Sequence, residues 1–268
     1  MDWNRTKTIF IFTFLLLNTF LIFQLMDNME NHAMNEETGE SLQEHIDRQN
    51  IEIDTDLPDD DESLSVVRSS ILDDLPAEFD IYEEQDVFSD AEFEEGEITV
   101  WLEEPYDIEE DNAWAERRDF IDNYVYEGEE YRFANRDESQ VNYYYHHEGR
   151  TLIAPGNTHL SLYENENGEI ESFSQQLIYT ENMAEQPTDS AMEAIDILIE
   201  ENEMTNNSTV VNVDHVYYSA LSEEFASDEV MFSPYYRIVV REQYENEEQL
   251  PDVYLVSAVE GEVRIQEP

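Results

Sequence analysis

The longest apolar feature of the chain spans residues 8–26, where no charge occurs and Ile, Phe and Leu dominate: Ile9-Phe10-Ile11-Phe12, Phe14-Leu15-Leu16-Leu17 and Phe20-Leu21-Ile22-Phe23. As a helix this run measures roughly 27 Å, close to the ~30 Å hydrocarbon core of a bilayer. Thr13, Leu17, Phe20 and Gln24 share one helical face and Asn18 lies off it. Polar side chains at that depth favour helix–helix hydrogen bonds. Residues 27–40 are polar and read as a tether. Ser41-x-x-Glu44 has the form of a capping box and predicts a short helix to about Asn50, followed by a strand-like Ile51-Glu52-Ile53-Asp54.

Beyond residue 63 the apolar spacing alternates between two and 3.6. Strands are predicted over 64–70 and 98–102, then a helix over 112–126 with Trp114, Ile121 and Val125 near one face, then strands over 131–133, 141–147 and 151–154. The second half repeats that order. Segments 160–163 and 170–179 flank Asn165-Glu166-Asn167-Gly168, a hairpin signal, and Thr188 stands where a cap belongs. Ala191, Ile195, Leu198 and Ile199 then fall at helical spacing, before strands over 209–220, 235–242, 253–258 and 262–266. The expected fold is α+β: an N-terminal transmembrane helix, then two similar subdomains whose antiparallel sheets each pack against a helix. The divisions are 1–7, 8–26 (anchor), 27–62 (tether with acidic loop), 63–155 and 156–268. Pro155-Gly156 is the boundary between the last two, with one continuous sheet as the alternative.

Charge fixes the orientation. Arg5 and Lys7 precede the apolar run and Asp27, Glu30, Glu36 and Glu37 follow it, which places the N-terminus in the cytoplasm and the bulk outside. A cleaved signal peptide is the competing reading, but Gln24-Leu25-Met26-Asp27 offers no small-residue cleavage site. The chain of 268 residues carries 12 Lys+Arg against 67 Asp+Glu, a net charge of −55, which excludes nucleic acid and anionic lipid surfaces as partners. Such repulsion opposes compaction unless salt screens it, and we read it as adaptation to high salt. Twelve per cent aromatics supply a core, and the absence of Cys removes disulfides and thiolate chemistry.

Candidate chemistry is sparse. With 67 acids, carboxylate pairs carry no catalytic information by proximity alone. His146-His147 sits in a strand-like run, so the two rings face opposite ways, and no H-x-x-x-H or H-E-x-x-H occurs. Asp59-Asp60-Asp61-Glu62 lacks the pattern of a calcium loop. Tyr143-Tyr144-Tyr145 and Tyr217-Tyr218 are expected to contribute mostly to the core. No catalytic residue, metal ligand or cofactor is assigned, and the chain is read as non-enzymatic.

The opening Met1-Asp2-Trp3-Asn4-Arg5-Thr6-Lys7-Thr8-Ile9-Phe10-Ile11, running straight into the anchor, resembles the YycI (WalI) family. Glu127-Gly128-Glu129-Glu130-Tyr131, Tyr235-Tyr236-Arg237-Ile238-Val239 and the stretch from Tyr254 to Val263 resemble that family more loosely. The resemblance implies a membrane-anchored adaptor of the YycFG (WalRK) two-component system. Its partners would be a YycH-like membrane protein and a YycG/WalK-like sensor histidine kinase, and its output cell-wall metabolism. Trp3, Thr13, Asn18 and Gln24 are the expected anchor contacts. Two other readings remain: an extracytoplasmic module binding a cell-wall fragment or cation, and a membrane-tethered hydrolase.

Overall fold

The computed structural model describes residues 13–14, 17–19, 42–58, 63–72, 74–75, 87–137, 139–156, 158–220, 229–242, 251–259 and 261–265. Residues 1–45 and 46–268 form two units. Of the predicted anchor, only Thr13, Phe14 and Leu17–Thr19 are described, and these are helical; the rest of 8–26 lies outside the described residues. Among the described residues no helix is long and apolar enough to cross a membrane.

The larger unit is α+β with strand dominant. Helix α1 (Leu42–Arg48) leads into β1 (Glu52–Ile53) and β2 (Ser63–Ile71). β3 (Phe88–Glu94) and β4 (Glu97–Tyr106) precede α2 (Ala113–Tyr124). Next come β5 (Tyr131–Arg136), β6 (Gln140–His147), β7 (Arg150–Ile153), β8 (Leu160–Glu164), β9 (Ile170–Gln176) and β10 (Ile178–Pro187). After α3 (Ala191–Glu200) follow β11 (Thr209–Tyr218), β12 (Glu229–Arg241), β13 (Asp252–Ser257) and β14 (Val263–Ile265). The ladder runs β10-β2-β12-β11-β7-β6-β8-β9-β4-β3, with β1 on β11, β5 on β6, and β13 and β14 continuing from β12.

Two helix-covered cores lie along this ladder. Phe120, Ile121 and Val125 pack with Val100, Val141, Leu162 and Phe173. Ala194, Ile195 and Leu198 of α3 pack with Ile46, Val213, Ile238 and Val256. A smaller cluster of Val67, Leu152, Tyr217 and Phe232 lies where β2, β7, β11 and β12 meet. The strands do not keep to the sequence halves. β8 and β9 pair with β6 and β4, while β2 pairs with β10 and β12. Alternation specifies that a strand has a buried face but not which strand lies beside it. Two pairings are parallel, β1 with β11 and β7 with β11, where a wholly antiparallel arrangement was expected.

The Asn165–Gly168 turn closes the β8–β9 hairpin: Asn165 Oδ1 accepts from the N–H groups of Asn167 at 2.9 Å and Glu169 at 3.1 Å. The single strand expected over 170–179 changes partner at Leu177, whose N–H donates to Gly96 O and whose carbonyl accepts from Leu72. Gly96 has φ +82°, and a Cβ there would stand 1.9 Å from Ile71 Cγ2, so this crossing requires glycine. Ser190, not Thr188, caps α3. Its Oγ accepts from the Glu193 N–H and Glu193 accepts in return from the Ser190 N–H, because β10 runs on to Pro187 and delays the helix. Trp114 was placed with Ile121 and Val125, but it is 59% exposed and Phe120 takes the core position. β3 was not expected at all: Phe-Ser-Asp-Ala-Glu-Phe-Glu reads as acidic loop, and its pairing with β4 makes it a strand.

Candidate interaction surface around strand β5

The chain leaves α2 through a turn with little freedom. Val125 N–H donates to Ile121 O, Glu127 adopts φ 49°, and Gly128 enters so close to the helix that a Cβ would lie 2.1 Å from Ile121 O. Arg118 clamps the exit, donating to Gly128 O at 2.8 Å and Tyr131 O at 2.7 Å while pairing with Asp122. From the far end, Arg136 donates to Glu164 Oε2 at 2.7 Å, and Arg117 of α2 donates to Glu164 Oε1 at 2.5 Å. Both ends of β5 are therefore tied to α2 or to its ion-pair partner.

Between those ties β5 is an exposed strand whose only ladder partner, among the described strands, is β6. The register passes from Phe133↔Tyr143 to Asn135↔Asn142, so Ala134 is a bulge residue without a partner on β6. Each face of β5 borders a cleft. On one side a cleft of about 680 Å³ is lined by Trp114, Arg118, Tyr131, Phe133 and Tyr143. Trp114 and Phe133 meet edge to face at 4.9 Å, and Phe133, 44% exposed, also contacts Tyr143 edge to face at 6.2 Å. Burial pushes the Tyr143 phenol up to about 12, so the phenol stays neutral, while Asp122, Glu127 and Glu129 line the same cleft.

On the other side a cleft of about 660 Å³ is lined by Arg132, Tyr144, His146, Arg150, His215 and Arg237, with Asp56, Glu148 and Asp214 among its acids. Three of the chain's 12 basic residues meet here, so in a molecule of charge −55 this cleft is locally balanced. Arg132 donates to Glu129 O and Tyr131 O, and Arg237 approaches Asp214 to 3.5 Å. Burial, and then Arg132, push His146 down to about 4, so its ring is neutral at neutral pH. His147 points away to Thr180 and Asn182 on β10, as alternation required. His159 is buried and accepts from Tyr145 N–H through Nδ1 at 3.2 Å. Burial lowers it as well, to about 4. Among the described residues no group of three or more His, Asp or Glu is placed to hold a metal.

Of the expected anchor contacts, Trp3 and Gln24 lie outside the described residues. Thr13 and Asn18 are helical and exposed, and Asn18 Nδ2 donates to Phe14 O at 2.7 Å. The surface around β5 was not singled out in the sequence. Its one legible signal was the scarcity of cations, which makes Arg132, Arg150 and Arg237 conspicuous once they are brought together.

Residues 29–259 match the family model described as YycI protein. No curated protein matches. Among solved structures, an uncharacterized protein from Eubacterium rectale ATCC 33656 aligns with a TM-score of 0.45 at 10% identity, over 81% of this chain and 91% of that one.

Proposed function

Because the chain belongs to the YycI family, whose members are regulators associated with the YycFG two-component system, we propose that it is a single-pass membrane regulator of a YycG/WalK-like sensor histidine kinase. In this reading residues 1–7 are cytoplasmic, 8–26 span the membrane, and the α+β unit lies outside and holds a YycH-like partner. The match over residues 29–259 carries the proposal. The uncharged run with Arg5 and Lys7 before it and acids after it supports the topology. Thr13, Asn18 and Gln24 within the run and Trp3 ahead of it supply the contacts toward the kinase. Regulation follows if those contacts differ between two packing states of the kinase's own helices, since a partner shifts an equilibrium only by its differential interaction with the two states.

Co-purification from the native membrane tests this, comparing the intact chain with one whose residues 8–26 are polyleucine. The expected result is recovery of the kinase by the intact chain only and of the YycH-like protein by both. Recovery of neither by the intact chain would overturn the reading in favour of a ligand-binding module.

A further inference from the structure

We propose that the open edge of β5 is a docking strand, pairing with an extended segment of a partner protein that alternates apolar and acidic side chains. The inference rests on the regulator reading in that it names where the exterior unit holds its partner, and the geometry of β5 carries it.

Three features of one strand converge. Arg132, Phe133, Asn135 and Arg136 are exposed, and β5 takes a ladder partner on one side only among the described strands, which leaves the other side for an incoming backbone. An added strand sends alternate side chains to opposite faces of the sheet. At β5 those faces differ in chemistry. The Trp114, Phe133 and Tyr143 side offers aromatic surface, and the other side sets Arg132, Arg150 and Arg237 among Asp56, Glu148 and Asp214, with Arg132 on β5 itself. A segment with an apolar residue at one position and a carboxylate at the next satisfies both, whereas a uniformly acidic or uniformly apolar one satisfies a single face.

Charge argues the same way. Natural sheets protect an edge with charge, a bulge or a cover. Of the strands at the two ends of the ladder, β3 carries Asp90, Glu92 and Glu94 and β10 carries Glu181 and Glu185, and both repel an acidic neighbour. β5 carries Arg132 and Arg136 and no acid. An acidic strand arriving at β5 thus meets no like charge from the strand itself, as it would at either end of the ladder.

The test uses the full chain in nanodiscs and two readouts. The first is the affinity of a ten-residue peptide alternating valine and glutamate, against a peptide of the same composition in two blocks. The second is co-purification of the YycH-like protein. Ala134→Pro removes the N–H of the bulge residue, which has no register partner on β6, and Phe133→Ala and Arg132→Glu each change an exposed side chain of the strand. Unchanged melting curves establish that each variant folds.

The expected result is at least tenfold tighter binding of the alternating peptide than of the blocked one. Each variant should lose at least tenfold in peptide affinity and recover less YycH-like protein. Equal peptide binding and equal recovery across the variants would overturn the docking strand while leaving the regulator reading intact. No partner with the intact chain, but edge-dependent peptide binding, would do the reverse. Self-association that Ala134→Pro abolishes would make the occupant a second copy of this chain and overturn the partner assigned here.

Discussion

Arg117 Nε donates to Glu164 Oε1 across 2.5 Å with both side chains buried, joining helix α2 to strand β8 over 47 residues of sequence. Arg136, half exposed at the end of β5, takes the other oxygen of the same carboxylate. Glu164 thus ties α2, β8 and β5 together through one buried carboxylate. Its register partner on β9 is Ile170 and its own side chain is buried, so the pair sits where an unmatched charge is costly.

Arg117→Met leaves Glu164 buried with only Arg136 beside it. Breaking one side of a buried pair costs about 3–5 kcal/mol, which in a unit of this size lowers Tm by roughly 10 °C. Scanning calorimetry measures it. The double substitution Arg117→Met with Glu164→Leu should recover much of that loss, because an apolar pair of similar volume leaves no buried charge.

Gly128→Ala should destabilise without touching any charge. The new methyl meets Ile121 O at 2.1 Å, backbone against which it has no room. Overpacking of this kind costs about 1–3 kcal/mol. Urea unfolding should show a lower midpoint with an unchanged slope, whereas Gly149→Ala, whose methyl meets nothing within 4 Å, should cost only the strain of its positive φ.

His159 makes stability depend on pH with a defined sign. Its folded value, about 4, lies below the usual 6.5, so the unfolded chain binds the proton more tightly. The stability it contributes is therefore fully present above about pH 6.5 and is lost progressively as pH falls toward 4, by an amount on the order of 3 kcal/mol at most. Carboxylate protonation changes over the same range. Denaturation of the intact chain and of His159→Gln at pH 7.5 and 4.5 isolates the histidine, and the intact chain should lose more stability between the two.

The charge of −55 predicts a salt requirement. Screening shortens from about 10 Å at 0.1 M to about 3 Å at 1 M, which weakens repulsion among exposed carboxylates far more than it weakens the buried Arg117–Glu164 pair. Thermal melts at 0.1 M and 2 M KCl should show a higher Tm at high salt. Equal values would mark the acids as ordinary surface charge.

Most element positions were legible because their causes are local. The period of Ala191, Ile195, Leu198 and Ile199 is a helix face that is indeed buried, and Asn165 to Gly168 closes a hairpin through bonds spanning four residues. The errors fall where a neighbour decides. β3 is acidic and exposed, and only β4 makes it a strand. Ser190 caps α3 in place of Thr188 because β10 occupies the chain up to Pro187.

The sequence by itself determined that this chain folds around aromatic and aliphatic cores as an α+β unit, where most of its strands and both core helices lie, and which family it joins, since composition, periodicity and motif order act within a few residues of one another. Only the tertiary structure decided which strands are neighbours, that Glu164 answers two arginines, and that Arg132, Arg150 and Arg237 share a cleft beside β5. Those outcomes depend on pairing across tens of residues, and a strand's alternation states that it has two faces without stating what stands opposite either one.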